Sequence, residues 1–146
     1  MRKIDLYSFN CGIIDCFNEI VGAGVKRLAF GAPASSVEAC GIYLDFVKMA
    51  CQKYGTSYYL ESDSLVSDLF PKEKNAGCAH YIFYHSDRDL QEYLEIRAQK
   101  AALIAAHAYR GDARRAFTYR FGRLLSYTDE DIARKVEQNT SKEPES

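Results

Sequence analysis

The chain of 146 residues contains no tryptophan, only two methionines and three prolines, and no hydrophobic run that approaches a membrane span. Its longest weakly polar stretch, Ala101 to Ala106, falls far short of the roughly 20 residues a helix needs to cross a bilayer, so no membrane partner is expected. Excess charge of either sign is also missing, with 19 Lys and Arg against 20 Asp and Glu. That balance excludes a global cationic field of the kind that gathers nucleic acid or anionic lipid, and leaves only a local patch to do so. The five cysteines (Cys11, Cys16, Cys40, Cys51 and Cys78) are odd in number and contain no C-x-x-C pair, and no Cys/His spacing fits a zinc site. Asp5, Ser8 and Asn10 interrupt the apolar residues after Met1-Arg2-Lys3, so no secretory segment is read and the expected location is cytoplasmic, with reduced thiols. Neither the G-x-x-x-x-G-K-[ST] nor the G-x-G-x-x-G pattern occurs, which removes the usual signatures of nucleotide phosphates.

What is present is 47% hydrophobic residues, enough for one sizeable core. No repeat and no linker divides the chain, so a single domain over 1–138 is expected. Residues 139–146, with Thr, Ser, Lys, Glu and Pro, offer nothing to bury and read as a flexible tail.

Leu6, Phe9, Ile13, Phe17 and Ile20 recur at helical spacing and stop at Gly22-Ala23-Gly24, which predicts a first helix, with a strand over residues 3–7 as the competing reading. Lys26 to Phe30, Ser57 to Leu60 and Ala79 to Tyr84 are compact apolar runs bounded by turn residues, and read as strands. Val37, Cys40, Leu44, Val47, Cys51 and Tyr54 line one face of a helix closed by Gly55, with Ser35 and Glu38 at capping-box spacing. Ser64 to Phe70 reads as a short helical turn before Pro71, and three further helices are expected, over about 88–109, from Asp112 to about Ser126, and from Thr128. Strands alternating with helices predict an α/β fold in αβαβαβααα order: a small, mostly parallel sheet of three or four strands covered by helices, with a helical C-terminal third.

In a parallel sheet the three polar exits after the strands would gather on one rim, where helix N-termini face a ligand. The rim would carry Gly31, Ser35, Ser36, Glu61, Asp63, His85 and Asp87. Gly31 allows close backbone approach, the two hydroxyls lie beside unpaired N–H groups, and the carboxylates and imidazole could move a proton or hold a cation. Helix capping and the macrodipole explain the serines and Asp63 and Asp87 equally well. His80 and His107 read as ordinary packed or surface histidines. Cys40 and Cys51 read as small core residues, which leaves Cys11 as the one thiol that could be a nucleophile.

The segment from His107 to Tyr127 is locally basic, and helical geometry puts Arg115, Tyr119 and Arg123 together on the face opposite the apolar stripe. Such a face could bind an anion, a partner or, as a weaker reading, nucleic acid; Asp129-Glu130-Asp131 could instead neutralise it. The eleven tyrosines, four of them on expected strands, suit a half-exposed sheet face or an interface. Two expectations follow. One is a small anionic ligand, a phosphorylated metabolite or nucleotide, held at the strand C-terminal edge. The other is a non-catalytic protein-interaction or homodimeric assembly module built on the long helix and the Arg-rich hairpin. No residue pattern names a cofactor, a substrate or a reaction.

Overall fold

The computed structural model describes all 146 residues. The chain divides into two compact units, each discontinuous: residues 1–64 with 77–86, and residues 65–76 with 87–146.

The first unit holds helix α1 (Leu6–Gly22), strand β1 (Leu28–Phe30), helices α2 (Val37–Gly41) and α3 (Leu44–Tyr54), and strands β2 (Ser57–Glu61) and β3 (His80–Tyr84). Asp5 caps α1 by accepting from the Tyr7 N–H at 3.2 Å, so the helical spacing prevails over the short-strand reading. The stripe running from Val37 to Tyr54 is helical, but it breaks after Gly41 into two helices, and the cap is Ser36, which accepts from Ala39 N at 3.1 Å. Gly55 ends α3 in the left-handed conformation at φ 69°, where a side chain would be strained.

The sheet corrects the expected parallel order. Its strands lie as β1-β3-β2, and both outer strands run antiparallel to the central β3, with Phe30 opposite Ile82 and Glu61 opposite His80. The physical reason is the link between β2 and β3. Ser64 to Phe70 forms no helix, so no crossover element carries the chain back over the sheet, and β3 returns in the opposite sense. The connection from β1 to β2 through α2 and α3 is a crossover between strands of like direction, split by the insertion of β3 between them. All five side chains of β3 are buried.

One face of this sheet packs under α1, α2 and α3 around Ile14, Cys40, Val47, Cys51, Tyr81 and Phe83. Two polar clamps fix α1 against α3: buried Asn18 accepts from Thr56 Oγ1 at 2.6 Å, and Tyr54 Oη donates to Asp15 at 3.0 Å. The helices approach so closely at Gly22 that a Cβ there would stand 2.6 Å from the Tyr54 carbonyl oxygen.

The second unit is helical, with α4 (Asp87–Ala105), α5 (Gly111–Leu124), α6 (Asp129–Gln138) and a single 3-10 turn at Lys72–Lys74. Thr128 caps α6 as its sequence spacing predicts, accepting from Asp131 N at 3.1 Å. The aromatic stripe of α5 forms the core, with Tyr109, Phe117 and Phe121 in successive ring contacts. Gly122 of α5 gives room to Ile132 of α6. No helix in either unit is long and apolar enough to cross a membrane.

Gly22→Ala is expected to force α1 off the Tyr54 backbone and to cost about 1–3 kcal/mol, read as a lowered midpoint in urea at unchanged slope.

Candidate functional site

Antiparallel pairing divides the predicted rim. Gly31 and Glu61 leave β1 and β2 at the end where β3 begins, while His85 follows β3 at the opposite end. Asp87 opens α4 in the other unit. Gly31 is buried, and its N–H donates to the Tyr81 carbonyl at 2.8 Å, so it extends strand pairing and does not cradle an anion. Ser36 spends its hydroxyl on the five-residue α2, and Ser35 is exposed beside it. Glu61 is buried and accepts from the Asp63 N–H at 3.1 Å. His85 places Nδ1 3.0 Å from the Gly55 carbonyl oxygen. No three His, Cys, Asp or Glu side chains anywhere in the chain lie together as a metal-binding group. The observed roles of Gly31, Ser36, Glu61 and His85 are thus strand pairing, helix capping and turn bonding. His80 is buried against Phe30, with ring centroids 4.6 Å apart, and Cys11 is buried on α1.

The three residues of the basic face do converge. Arg115 lies over the Tyr119 ring at 4.7 Å and Arg123 approaches it at 5.6 Å. Arg123, however, forms two hydrogen bonds of 2.8 Å with the Asp129 carboxylate, which that ion pair holds below its ordinary pKa. The acidic start of α6 neutralises this cation, and Arg115 with Tyr119 remains.

Those two residues line a cleft of about 550 Å³ in the second unit, within the range of ligand sites. Its charged anchor is Arg114, whose guanidinium is buried and engages Asp68 in a fork, Nη2 to Oδ1 at 2.6 Å and Nε to Oδ2 at 2.9 Å. The same guanidinium lies 4.6 Å from the Tyr109 ring centre. Lys100 is also buried, and donates to the Val66 carbonyl and to Glu143, each at 2.8 Å. Residues 139–146, expected as a tail, run through this cluster. Asn139 is buried and donates to the Asp68 and Phe70 carbonyls at 3.0 Å. Arg114 Nη2 donates to the Glu143 carbonyl at 2.9 Å. Backbone carbonyls and one carboxylate therefore give this polar segment partners that its composition does not reveal.

Sequence reasoning missed Asp68, Lys100, Tyr109 and Glu143. A signal existed for Lys100: it continues the spacing of Tyr93 and Ile96, the other buried residues of α4, and a lysine on a buried stripe demands a paired anion.

The first unit carries a second concavity, a groove of about 200 Å³ whose lining includes Ile14, Pro33, Ile42, Tyr43 and Tyr81. Tyr7 stacks on Tyr43 at 5.3 Å, and Asn10 Nδ2 donates to Tyr43 Oη at 2.8 Å. Tyr81 Oη donates to the Cys40 carbonyl at 2.8 Å. Burial pushes the Tyr81 phenol up from 10.0 to about 12. This unit also carries most of the exposed apolar side chains. Of ten exposed large hydrophobic side chains, nine (Met1, Ile4, Leu6, Tyr7, Phe9, Val25, Val37, Ile42 and Met49) belong to this unit, and only Ile104 to the other.

Comparison with known proteins adds nothing to this geometry: no family model, no curated protein and no solved structure matches the chain.

Arg114→Met leaves Asp68 buried without its cation and is expected to cost about 3–5 kcal/mol in a urea titration, whereas Arg123→Met breaks an exposed, solvent-screened pair and should leave the urea midpoint nearly unchanged. A second expectation concerns alkali. The Tyr81 phenol has a raised folded-state pKa, so its contribution is complete below pH 10.0 and is lost as pH rises through about 12. Tyr81→Phe should flatten the fall of melting temperature across that interval while lowering stability at neutral pH by about 1 kcal/mol.

Proposed function

We propose that the protein is an interaction module that self-associates through the apolar face around the start of α1. The observation that supports this reading is the gathering of exposed apolar side chains in one unit, with Leu6, Tyr7 and Phe9 on the first turn of α1 and Ile42 at the groove beside them. Exposed apolar side chains gathered in one region mark contact surfaces where they form a patch. The aromatic residues among them supply area at low conformational cost.

A second copy of the chain is the partner that the chemistry favours. Residues 1–4 are exposed and alternate apolar ends with two cations, Met1-Arg2-Lys3-Ile4. Beside the groove stand the exposed carboxylates Glu38 and Asp45, one residue before Ala39 and two after Tyr43. Each copy thus carries an apolar groove with acidic neighbours and a basic, apolar arm to fill it, which is the reciprocal arrangement a two-fold interface needs. We favour α1 and the groove for this interface over the long helix and the Arg-rich hairpin, because there Arg120 is already engaged by Glu95 and Gln99 and Arg123 by Asp129.

Light scattering coupled to gel filtration is expected to give twice the chain mass for the parent protein and the monomer mass for a Leu6→Glu/Phe9→Glu variant. Because both side chains are exposed, the variant should keep its stability to within about 0.5 kcal/mol per substitution, apart from the contribution of the dimer itself. A monomeric parent at high concentration overturns the reading.

A further inference from the structure

We propose that the seat formed by Lys100, Tyr109 and Arg114, beside the cleft that Arg114 shares with Arg115 and Tyr119, is a docking site for an extended acidic peptide of a partner protein, and that residues 140–146 occupy it as an internal stand-in. The proposal concerns the second unit and stands apart from self-association through the first.

Three features support it. The seat is built for an anion. Lys100 is 7% exposed, and its one carboxylate partner is Glu143. Without that segment, the ammonium keeps the Val66 carbonyl and the face of the Tyr109 ring, and an acidic group brought to the same point restores its charge partner. The recognition is also generic to peptide. Arg114, already held by Asp68, turns its remaining donors to two successive carbonyls, Glu143 O at 2.9 Å and Pro144 O at 3.4 Å. Main-chain acceptors of this type are present in any extended segment, and the Lys100 ammonium then selects for the acidic side chain.

The resident segment also fills the site incompletely. Tyr109 Oη is buried and has no hydrogen-bond partner, although the groups around the phenol include Asp68, Glu143 and Arg114. An orphaned buried donor calls for an explanation, and a ligand with one more acceptor at this point would satisfy it. Alongside the segment lies the cleft of about 550 Å³, walled by Lys142, Glu143 and Glu145 on one side and by Arg115, Thr118 and Tyr119 on the other. Arg115 there is an exposed cation in contact with the Tyr119 ring and hydroxyl, suited to a further acidic side chain. Thr140, Lys142, Pro144 and Glu145 of the segment are exposed, and its further hold is polar, through Lys72 N to the Ser141 carbonyl at 3.0 Å and Lys72 Nζ to the Lys142 carbonyl at 3.4 Å, so its release exposes little apolar surface.

The test uses the full chain and a fluorescent heptapeptide with the sequence of residues 140–146. An internal competitor acts at an effective concentration of about 1 mM, so the parent chain should bind the peptide weakly. Glu143→Gln weakens the competitor by removing the charge that Lys100 needs, and should tighten peptide binding by about tenfold or more. Lys100→Met should abolish binding, and a peptide with glutamine in place of its central glutamate should bind about tenfold more weakly. Failure of the folded Glu143→Gln chain to bind, or binding that survives Lys100→Met, overturns the proposal. If Glu143→Gln does not fold, amide spectra of the parent chain decide: millimolar peptide must shift the signals of residues 141–146, and unchanged signals overturn the proposal equally.

Discussion

The second unit depends on one ion pair, Asp68 with Arg114. Two charges removed from water lose several kcal/mol of hydration each, and recover it only when geometry and accessory hydrogen bonds are good. Here the guanidinium and the carboxylate meet in a fork, with side-chain exposures of 9% and 11%. The remaining guanidinium donors reach the carbonyls of Glu143 and Pro144, and its face lies against the Tyr109 ring. Asp68 belongs to an irregular segment, Arg114 to the first turn of α5, and the carbonyls to the closing residues. One planar cation therefore sets the position of three stretches of chain that no helix or strand connects.

The first unit is governed by a different constraint, the central position of β3. With outer strands that do not touch, all sheet hydrogen bonding passes through His80 to Tyr84. The helices that cover this sheet present their own apolar residues outward at the beginning of α1 and near Ile42. Charge organises one unit and apolar surface the other. Two kinds of contact, an apolar one suited to a second copy and an ionic one suited to an acidic segment, are accordingly available in one small chain.

Much of the local structure was legible in the sequence. Helical periodicity located α1 and α3, the β-favouring runs located all three strands within one or two residues, and Thr128 was readable as a cap because its partner sits three residues on. Strand direction was not legible. It turned on whether Ser64 to Phe70 was helical, and Leu65 and Leu69, buried at helical spacing, imitate a helix that does not form. The division into units was hidden for a related reason: each unit uses two separate stretches, so no linker composition marks a boundary. The site was harder still. Arg115, Tyr119 and Arg123 share a helix and could be grouped by turn geometry, whereas Asp68, Lys100, Arg114 and Glu143 come from four places in the chain. Only the lysine on a buried stripe betrayed the need for a distant anion. The closing segment misled because composition measures what side chains can bury, and its attachment uses mainly carbonyl oxygens.

The threading of residues 65–76 between β2 and β3 has a consequence for biogenesis. On the ribosome, β1 and β2 emerge long before the strand that joins them, and they have no bonds to offer each other. Until His80 to Tyr84 has left the exit tunnel, both carry unsatisfied backbone edges, and Tyr58 of β2 has no Tyr81 to meet. Sheet closure in this protein is therefore a late, long-range event in a nascent chain, and the interval before it is when unwanted strand pairing with neighbouring polypeptides is most accessible.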